Sequence, residues 1–227
     1  MHWKQNLKGI LNIFLQSNCP LCQRSTQKEF CQDCTRQLQR CQRQNPSFLW
    51  RGELPVFVWG VYGGTLKRAI AALKYENQPQ IAQPLGIWLA QTWLNSKFAS
   101  TPIVVPIPLH TDKLLHRGYN QATLLAQSFC QITGLKLQQH GLERVHNTAA
   151  QFELSATQRE KNLTNAFGLG SAFRRHRPTE PILILDDIYT TGATVKSAAQ
   201  TLRNAGMRVY GVVAIASSKT EQGSRGR

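Results

Sequence analysis

The sequence predicts an α/β protein built on a mostly parallel sheet, with a small cysteine module in front. Three observations predict it. Apolar runs near residues 57, 103, 182 and 209 alternate with helical stretches, the pattern of strands joined by crossovers. The run Ile182-Leu183-Ile184-Leu185 carries no charge, as in a strand buried on both faces, and leads through Asp186-Asp187 into a Thr/Gly turn and a helix. Two Cys-X-X-Cys pairs stand near the N-terminus.

From the start of the chain, Trp3, Leu7, Ile10, Leu11, Phe14 and Leu15 recur every three or four residues and predict an amphipathic helix over residues 1–17. Cys19-Pro20-Leu21-Cys22 and Cys31-Gln32-Asp33-Cys34 follow, separated by eight residues. Each pair offers two sulfurs on one knuckle, and two knuckles complete a tetrahedron. Cys19, Cys22, Cys31 and Cys34 therefore predict a structural Zn²⁺ site. Disulfides are the rival reading, but they need an oxidising compartment that no secretory signal indicates. Cys41 lies outside the spacing, and Cys130 sits in an apolar run as a small core residue. Residues 36–55 are rich in Arg and Gln, contain Pro46, Gly52 and Pro55, and lose their periodicity. The domain boundary is expected there: a cysteine module over 1–52, a main domain over 53–217 and a disordered tail over 218–227.

Val56 to Tyr62 reads as a strand and Gly63-Gly64 as a turn. The helix that follows places Leu66, Ile70 and Leu73 on one face, and Lys74 at its end either reaches a phosphate or is solvated. Pro79 and Pro84 mark a break before a second helix, Leu85 to Leu94, whose Trp88 and Trp93 read as core rather than as a base-stacking platform. Ile103 to His110 is a buried strand stopped by Pro106 and Pro108. Past its end His110, Lys113, His116 and Arg117 gather donors, and Gly118 permits a mobile loop. The helix Gln121 to Ile132 should bury Leu124, Leu125, Phe129 and Ile132, and Gly134 and Gly141 flank a short strand, Leu135 to Leu137. Arg144, Gln151, Arg159 and Asn162 form a polar loop-helix, either solvated or a binding face. Arg174-Arg175-His176-Arg177 is a basic cluster on a loop, available to nucleic-acid phosphates.

The acids Asp186 and Asp187 fall at the carboxyl end of their strand, where ligands bind in open α/β sheets. Thr190, Thr191, Gly192, Ala193 and Thr194 then make a turn in which Gly192 takes positive φ and backbone N–H groups converge on an anion at a helix N-terminus. That helix runs from Val195 to Asn204 and stops at Ala205-Gly206, before a last strand from Arg208 to Ala216.

A formal charge of +15, from 27 Lys and Arg against 12 Asp and Glu, favours a polyanionic ligand or partner. Nucleic acid and a pyrophosphate-bearing substrate satisfy it equally, and so does a solvated basic surface. No run approaches the ~18 apolar residues of a membrane span, which excludes a transmembrane class, and a cytoplasmic location is expected.

The stretch from Ile182 to Thr194 resembles the phosphoribosyl-diphosphate (PRPP) signature of type I phosphoribosyltransferases: apolar strand, Asp-Asp, apolar pair, Thr-Gly-X-Thr. The resemblance implies that Asp186 and Asp187 are the catalytic pair, facing the ribose hydroxyls directly or through Mg²⁺, and that Thr190, Thr191, Gly192, Ala193 and Thr194 wrap the 5′-phosphate. Leu73-Lys74-Tyr75, Val105 to His110, Lys113, Arg117-Gly118-Tyr119-Asn120-Gln121 and the spacing of Arg144, Thr148, Gln151, Leu154, Arg159, Asn162 and Ala166-Phe167 resemble the ComF family. That family joins an N-terminal four-cysteine zinc module to a type I phosphoribosyltransferase fold. It implies that Pro108, Leu109, His110 and Arg117 receive the pyrophosphate, with Lys74, Gly118, Tyr119, Asn120 and Gln121 as loop residues beside them. Two functions follow from it. One is transfer of a phosphoribosyl group to an unidentified acceptor, with Mg²⁺. The other is non-catalytic, a single-stranded-DNA-binding or adaptor protein working with the competence machinery in DNA uptake. No base-recognition pattern for a purine, pyrimidine or orotate emerges, so nucleotide salvage is not assigned.

Overall fold

The computed structural model describes residues 17–145 and 166–220. The helix expected before residue 17, the polar positions Thr148 to Asn162 and the chain after residue 220 lie outside the described residues. Two short strands, β1 (Ser17–Asn18) and β2 (Ser25–Thr26), pair antiparallel around the first cysteine pair, and α1 (Gln32–Gln39) starts at the second. Then come β3 (Val56–Val61), α2 (Gly64–Tyr75), α3 (Ala82–Asn95), β4 (Ile103–Pro106), α4 (Thr111–Arg117) and α5 (Gln121–Thr133). A hairpin of β5 (Leu142–Arg144) and β6 (Phe167–Leu169) is followed by α6 (Ser171–Arg175), β7 (Ile182–Tyr189), α7 (Ala193–Asn204) and β8 (Val209–Ser217).

The central sheet has the order β3-β8-β7-β4 and every pairing in it is parallel, as the apolar runs predict. Side chains on a strand alternate between faces, so β7 supplies both cores. Leu183 and Leu185 join Phe57, Trp59, Val213 and Ile215 under α2, α3 and α5, while Ile182 and Ile184 join Val56, Val58, Val212 and Ala214 against α7. Each Val, Leu, Ile or Phe among them contributes about 1.5–3 kcal/mol by leaving water. Phe30, Cys34 and Leu38 of the cysteine module belong to the first core, and Phe30 stacks on Trp88 of α3 at 6.2 Å. Trp88 also stacks on Trp59, and Trp93 packs among Trp50, Phe57 and Phe98, so both tryptophans of α3 are packing residues, as expected. Helices α3 and α5 touch at Gly86, where a Cβ would stand 2.7 Å from Leu125 O. Only glycine fits that approach.

Several expectations are corrected. The acids do not end their strand: β7 continues through them to Tyr189, pairing Asp186 with Ala214 and Tyr189 with Ser217 of β8. They still emerge at an edge of the site, because the partner on the other side, β4, ends at Pro106 opposite Leu185. Helix α3 starts at Ala82 with Pro84 inside its first turn, where the missing N–H has no intrahelical partner to lose. Leu135 to Leu137 makes a single parallel bridge, Leu137 to Val104, instead of a ladder. Ile132 is exposed, on the outer side of α5. Residues 111–117 are helical rather than loop, and Arg174 and Arg175 sit in α6. Arg174 donates to Glu143 and to Leu169 O, and Arg177 donates to Ala205 O, so these two arginines of the basic cluster stitch the hairpin and α7 together. Among the described residues no helix is long and apolar enough to cross a membrane.

Candidate functional site

The four cysteines come together as their spacing predicts. Cys19 opens a tight turn in which the N–H groups of Cys22 and Gln23 both donate to Cys19 O, and Cys31 precedes α1 so that Cys34 falls in its first turn. The ligand sulfurs of Cys19, Cys22, Cys31 and Cys34 all lie within 4.8 Å of one another. A tetrahedral ion bound by thiolates at about 2.3 Å sets sulfurs about 3.8 Å apart, so the cluster fits one ion with small adjustment. The backbone N–H of Arg24 holds the Cys22 thiol down to about 6 against the opposing effect of burial, with the Arg24 guanidinium adding to it. Burial, with neighbouring thiols adding to it, pushes Cys34 up. Cys130 stands apart in the core with its thiol pushed to about 12 by burial, and Cys41 also lies outside the cluster.

At the carboxyl edge of the sheet, β7, α2, α4 and the turn before α7 enclose a cavity of about 310 Å³. Asp186 and Asp187 form its floor and both are buried. Oδ1 of Asp186 accepts the N–H of Asp187 at 2.8 Å. Burial, and then the charge of Asp187, push the Asp186 carboxyl well above the usual carboxylate range; the Asp187 N–H and Lys74 oppose this. Oδ2 of Asp187 is sealed from solvent and faces Lys74 Nζ at 2.7 Å, an ion pair that lacks the alignment of a hydrogen bond. Burial works against the Lys74 ammonium, yet Asp187 and Asp186 outweigh it and raise its pKa.

Above this floor the lining turns basic, with Lys113 of α4, Arg117 at the end of α4 and Arg144 of β5. Burial lowers Lys113, and Arg144, Arg117 and Lys74 lower it further by repulsion. Arg144 is lowered by burial, with Asp186 opposing. A second cavity of about 890 Å³ adjoins, sharing Lys74, Tyr75, Lys113 and Arg117 with the first. Four cations bordering two carboxylates can hold a ligand that is anionic at one part and hydroxylated at another.

The turn beyond the acids folds as its composition predicts. Gly192 takes φ +84° before α7, and a Cβ there would stand 2.8 Å from the Tyr189 ring. Thr190 and Thr194 line the cavity; Thr191 accepts the Ala193 N–H, and Ala193 begins α7. First-turn N–H groups of a helix have no intrahelical acceptor, so this end attracts an anion.

The other predicted residues divide into two sets. Leu109, Arg117, Gln121 and Lys74 line the inner cavity, and Gly118 lines the outer one. Pro108 lines neither, and His110 caps α4 by accepting the Asp112 N–H at Nδ1. Gly118 closes α4 at φ +80°. Tyr119 donates to Leu73 O, and Asn120 donates to Ile107 O while accepting the Ala122 N–H. Tyr119 and Asn120 thus tie α2, the end of β4 and α5 together, and Gln121 holds Arg117, whose guanidinium also lies 5.6 Å from the Tyr75 ring centre. Tyr62 and Tyr75 were not foreseen as lining residues. Lys113 is legible in sequence as one of the donors past the β4 end and Arg144 as part of a polar set either solvated or binding, but nothing in linear sequence brings residue 144 to the cavity of Asp186.

No model of a protein family matches the chain. Competence protein F of Haemophilus influenzae is 29% identical over 212 residues, covering 88% of this chain and 90% of that protein. DNA utilization protein YhgH of Escherichia coli K12 is 30% identical over 198 residues, covering 81% and 83%. Among solved structures, glutamine PRPP amidotransferase of B. subtilis aligns over 60% of this chain and 25% of its own at 18% identity and a TM-score of 0.38, which adds nothing to the topology described above.

Proposed function

We propose, for a chain that belongs to the ComF family of competence and DNA-utilization proteins, that its cavity binds PRPP or a related ribose phosphate, as the resemblance of Ile182 to Thr194 to the phosphoribosyltransferase signature implies. The observation that carries this is the convergence on one cavity of a buried Asp pair, the Thr190–Thr194 turn at the N-terminus of α7, and the cations Lys74, Lys113, Arg117 and Arg144. The acids suit ribose hydroxyls and the turn suits the 5′-phosphate. Lys113, Arg117 and Arg144 suit the diphosphate, and where transfer occurs they stabilise the charge that builds on the departing pyrophosphate. The acceptor for that transfer is open.

Two metals belong to the reading. Four sulfurs close the coordination sphere of a Zn²⁺, which holds the cysteine module to its fold. Carboxylates are the donors a Mg²⁺ takes. Here Asp187 already faces an ammonium and burial favours the neutral form of Asp186, so the pair fits hydroxyl recognition better than a divalent ion, and the Mg²⁺ is assigned to the ligand's diphosphate, whose charge it neutralises. Calorimetry with PRPP tests the reading: binding is expected, stronger with Mg²⁺, and lost in Asp186→Ala/Asp187→Ala. Equal heats for that variant and the native protein would remove it.

A second reading rests on the +15 charge and on the relatives' names. It is a competence adaptor that binds single-stranded DNA without catalysis. Its affinity should fall steeply with salt; absent or salt-independent binding sinks it, and pyrophosphate release with PRPP and an acceptor decides for the enzyme.

A further inference from the structure

The chain beyond the cysteine module does something that its composition hides. After α1, residues 41–43 run antiparallel along the outer edge of β3: Cys41 O accepts the Val61 N–H, Gln42 bridges Gly60, and the Arg43 N–H donates to Trp59 O at 2.9 Å. This register points the Arg43 side chain across the end of the sheet. It is buried, its guanidinium lies 4.5 Å from the Phe48 ring centre, and Nη2 donates to Ser217 O at 3.0 Å and to Lys219 O. Ser217 Oγ also accepts the Lys219 N–H at 3.1 Å. A segment of polar composition is thereby fixed to the end of β8 through the buried Arg43 side chain.

The consequence is the position of one cation. Lys219 Nζ stands 5.1 Å from the centre of the Tyr189 ring. That ring is also the surface against which the Gly192 turn folds, within 2.8 Å of where a Cβ would project. Tyr189 therefore connects the ammonium to the turn between β7 and α7. An exposed ammonium beside an aromatic ring contributes only about 0.5–1 kcal/mol, too little to explain an arginine buried to hold its carrier.

We propose that Lys219 is a further binding residue for the phosphate carried by the Thr190–Thr194 turn, and that Arg43 is the positioning residue that places it. This rests on the ribose-phosphate reading above. It adds a cation from the opposite end of the chain to a phosphate site otherwise served by backbone N–H groups and threonines, and it makes that site depend on the segment leaving the cysteine module.

The test is calorimetry with PRPP and ribose 5-phosphate on the full chain, comparing native protein with Lys219→Met, Arg43→Met, Arg43→Lys and the double variant Lys219→Met/Arg43→Met. Lys219→Met should weaken both ligands about tenfold, the effect of one charge-assisted hydrogen bond, and reduce the salt dependence of binding while Tm falls by no more than about 4 °C. Arg43→Met should weaken binding by a similar factor, the double variant no further, and Arg43→Lys should recover part of the loss. Native affinity in Lys219→Met overturns the proposal while leaving the ribose-phosphate reading intact. Failure of the native protein to bind either ligand overturns both. An additive double variant removes the positioning role of Arg43.

Discussion

Replacing Lys74 by Met should destabilise the protein more than any surface substitution, because among the described residues it strips the one cation paired with Asp187. At 2.7 Å and an effective dielectric of about 20, the Lys74–Asp187 attraction is about 6 kcal/mol gross. Both groups are mostly withdrawn from water, Asp187 to 5% exposure and Lys74 to 18%, so desolvation cancels much of that attraction in the intact pair. Removing one partner leaves the other's desolvation uncompensated, at about 3–5 kcal/mol. For a chain of 227 residues that lowers Tm by about 6–20 °C. Asp187→Asn alone should cost less, because the Lys74 ammonium it strands is the more exposed partner, 18% against 5%, and still feels the charge of Asp186. The double variant Lys74→Met/Asp187→Asn should be more stable than the sum predicts, with a coupling of at least about 2 kcal/mol. Urea unfolding of the four proteins at pH 7 measures it without ligand, and a coupling within about 0.5 kcal/mol of zero refutes the buried-pair argument. The pH dependence has a definite sign. The Lys74 pKa is raised in the folded state, so the pair's contribution is complete below the ordinary lysine range and is lost only as pH rises through the raised value.

Asp186→Asn should raise stability at neutral pH by about 1–2 kcal/mol while weakening ribose-phosphate binding, a trade common at functional sites. The Asp186 pKa is raised on folding, so native protein loses stability as pH climbs from the ordinary carboxylate range through that raised value; the variant's advantage should grow across this window and then level off, and a flat difference sinks the assignment. Gly192→Ala must hold φ +84° with a Cβ 2.8 Å from the Tyr189 ring, so PRPP affinity should fall at least about tenfold while the far-ultraviolet circular dichroism spectrum is retained. Metal analysis should find one zinc per chain, lost in Cys19→Ser with a drop in Tm and kept in Cys41→Ser and Cys130→Ser; zinc retained in Cys19→Ser would refute the four-sulfur site.

The parallel sheet, the four-cysteine cluster and the Gly192 turn were legible in the sequence, because each is written in local terms. Uncharged runs specify doubly buried strands, paired Cys-X-X-Cys spacing specifies knuckles, and Gly192 among threonines specifies a turn with positive φ. Helix α4 and the β5–β6 pair escape a reading of periodicity because seven residues and two runs of three are too few to show a period. Which basic residues meet the acids depends on how the elements pack. Lys74, Lys113 and Arg144 reach one cavity through the crossing of α2, α4 and the hairpin, and charge alone gives no such address. The same holds for Tyr119 and Asn120, which linear motif placed beside the ligand and which packing uses as ties between elements. Arg43 shows the limit most clearly. Its neighbours in sequence mark it as part of a polar linker, while its guanidinium is fixed by carbonyls 174 and 176 residues away, a pairing that exists only once β3 and β8 lie side by side.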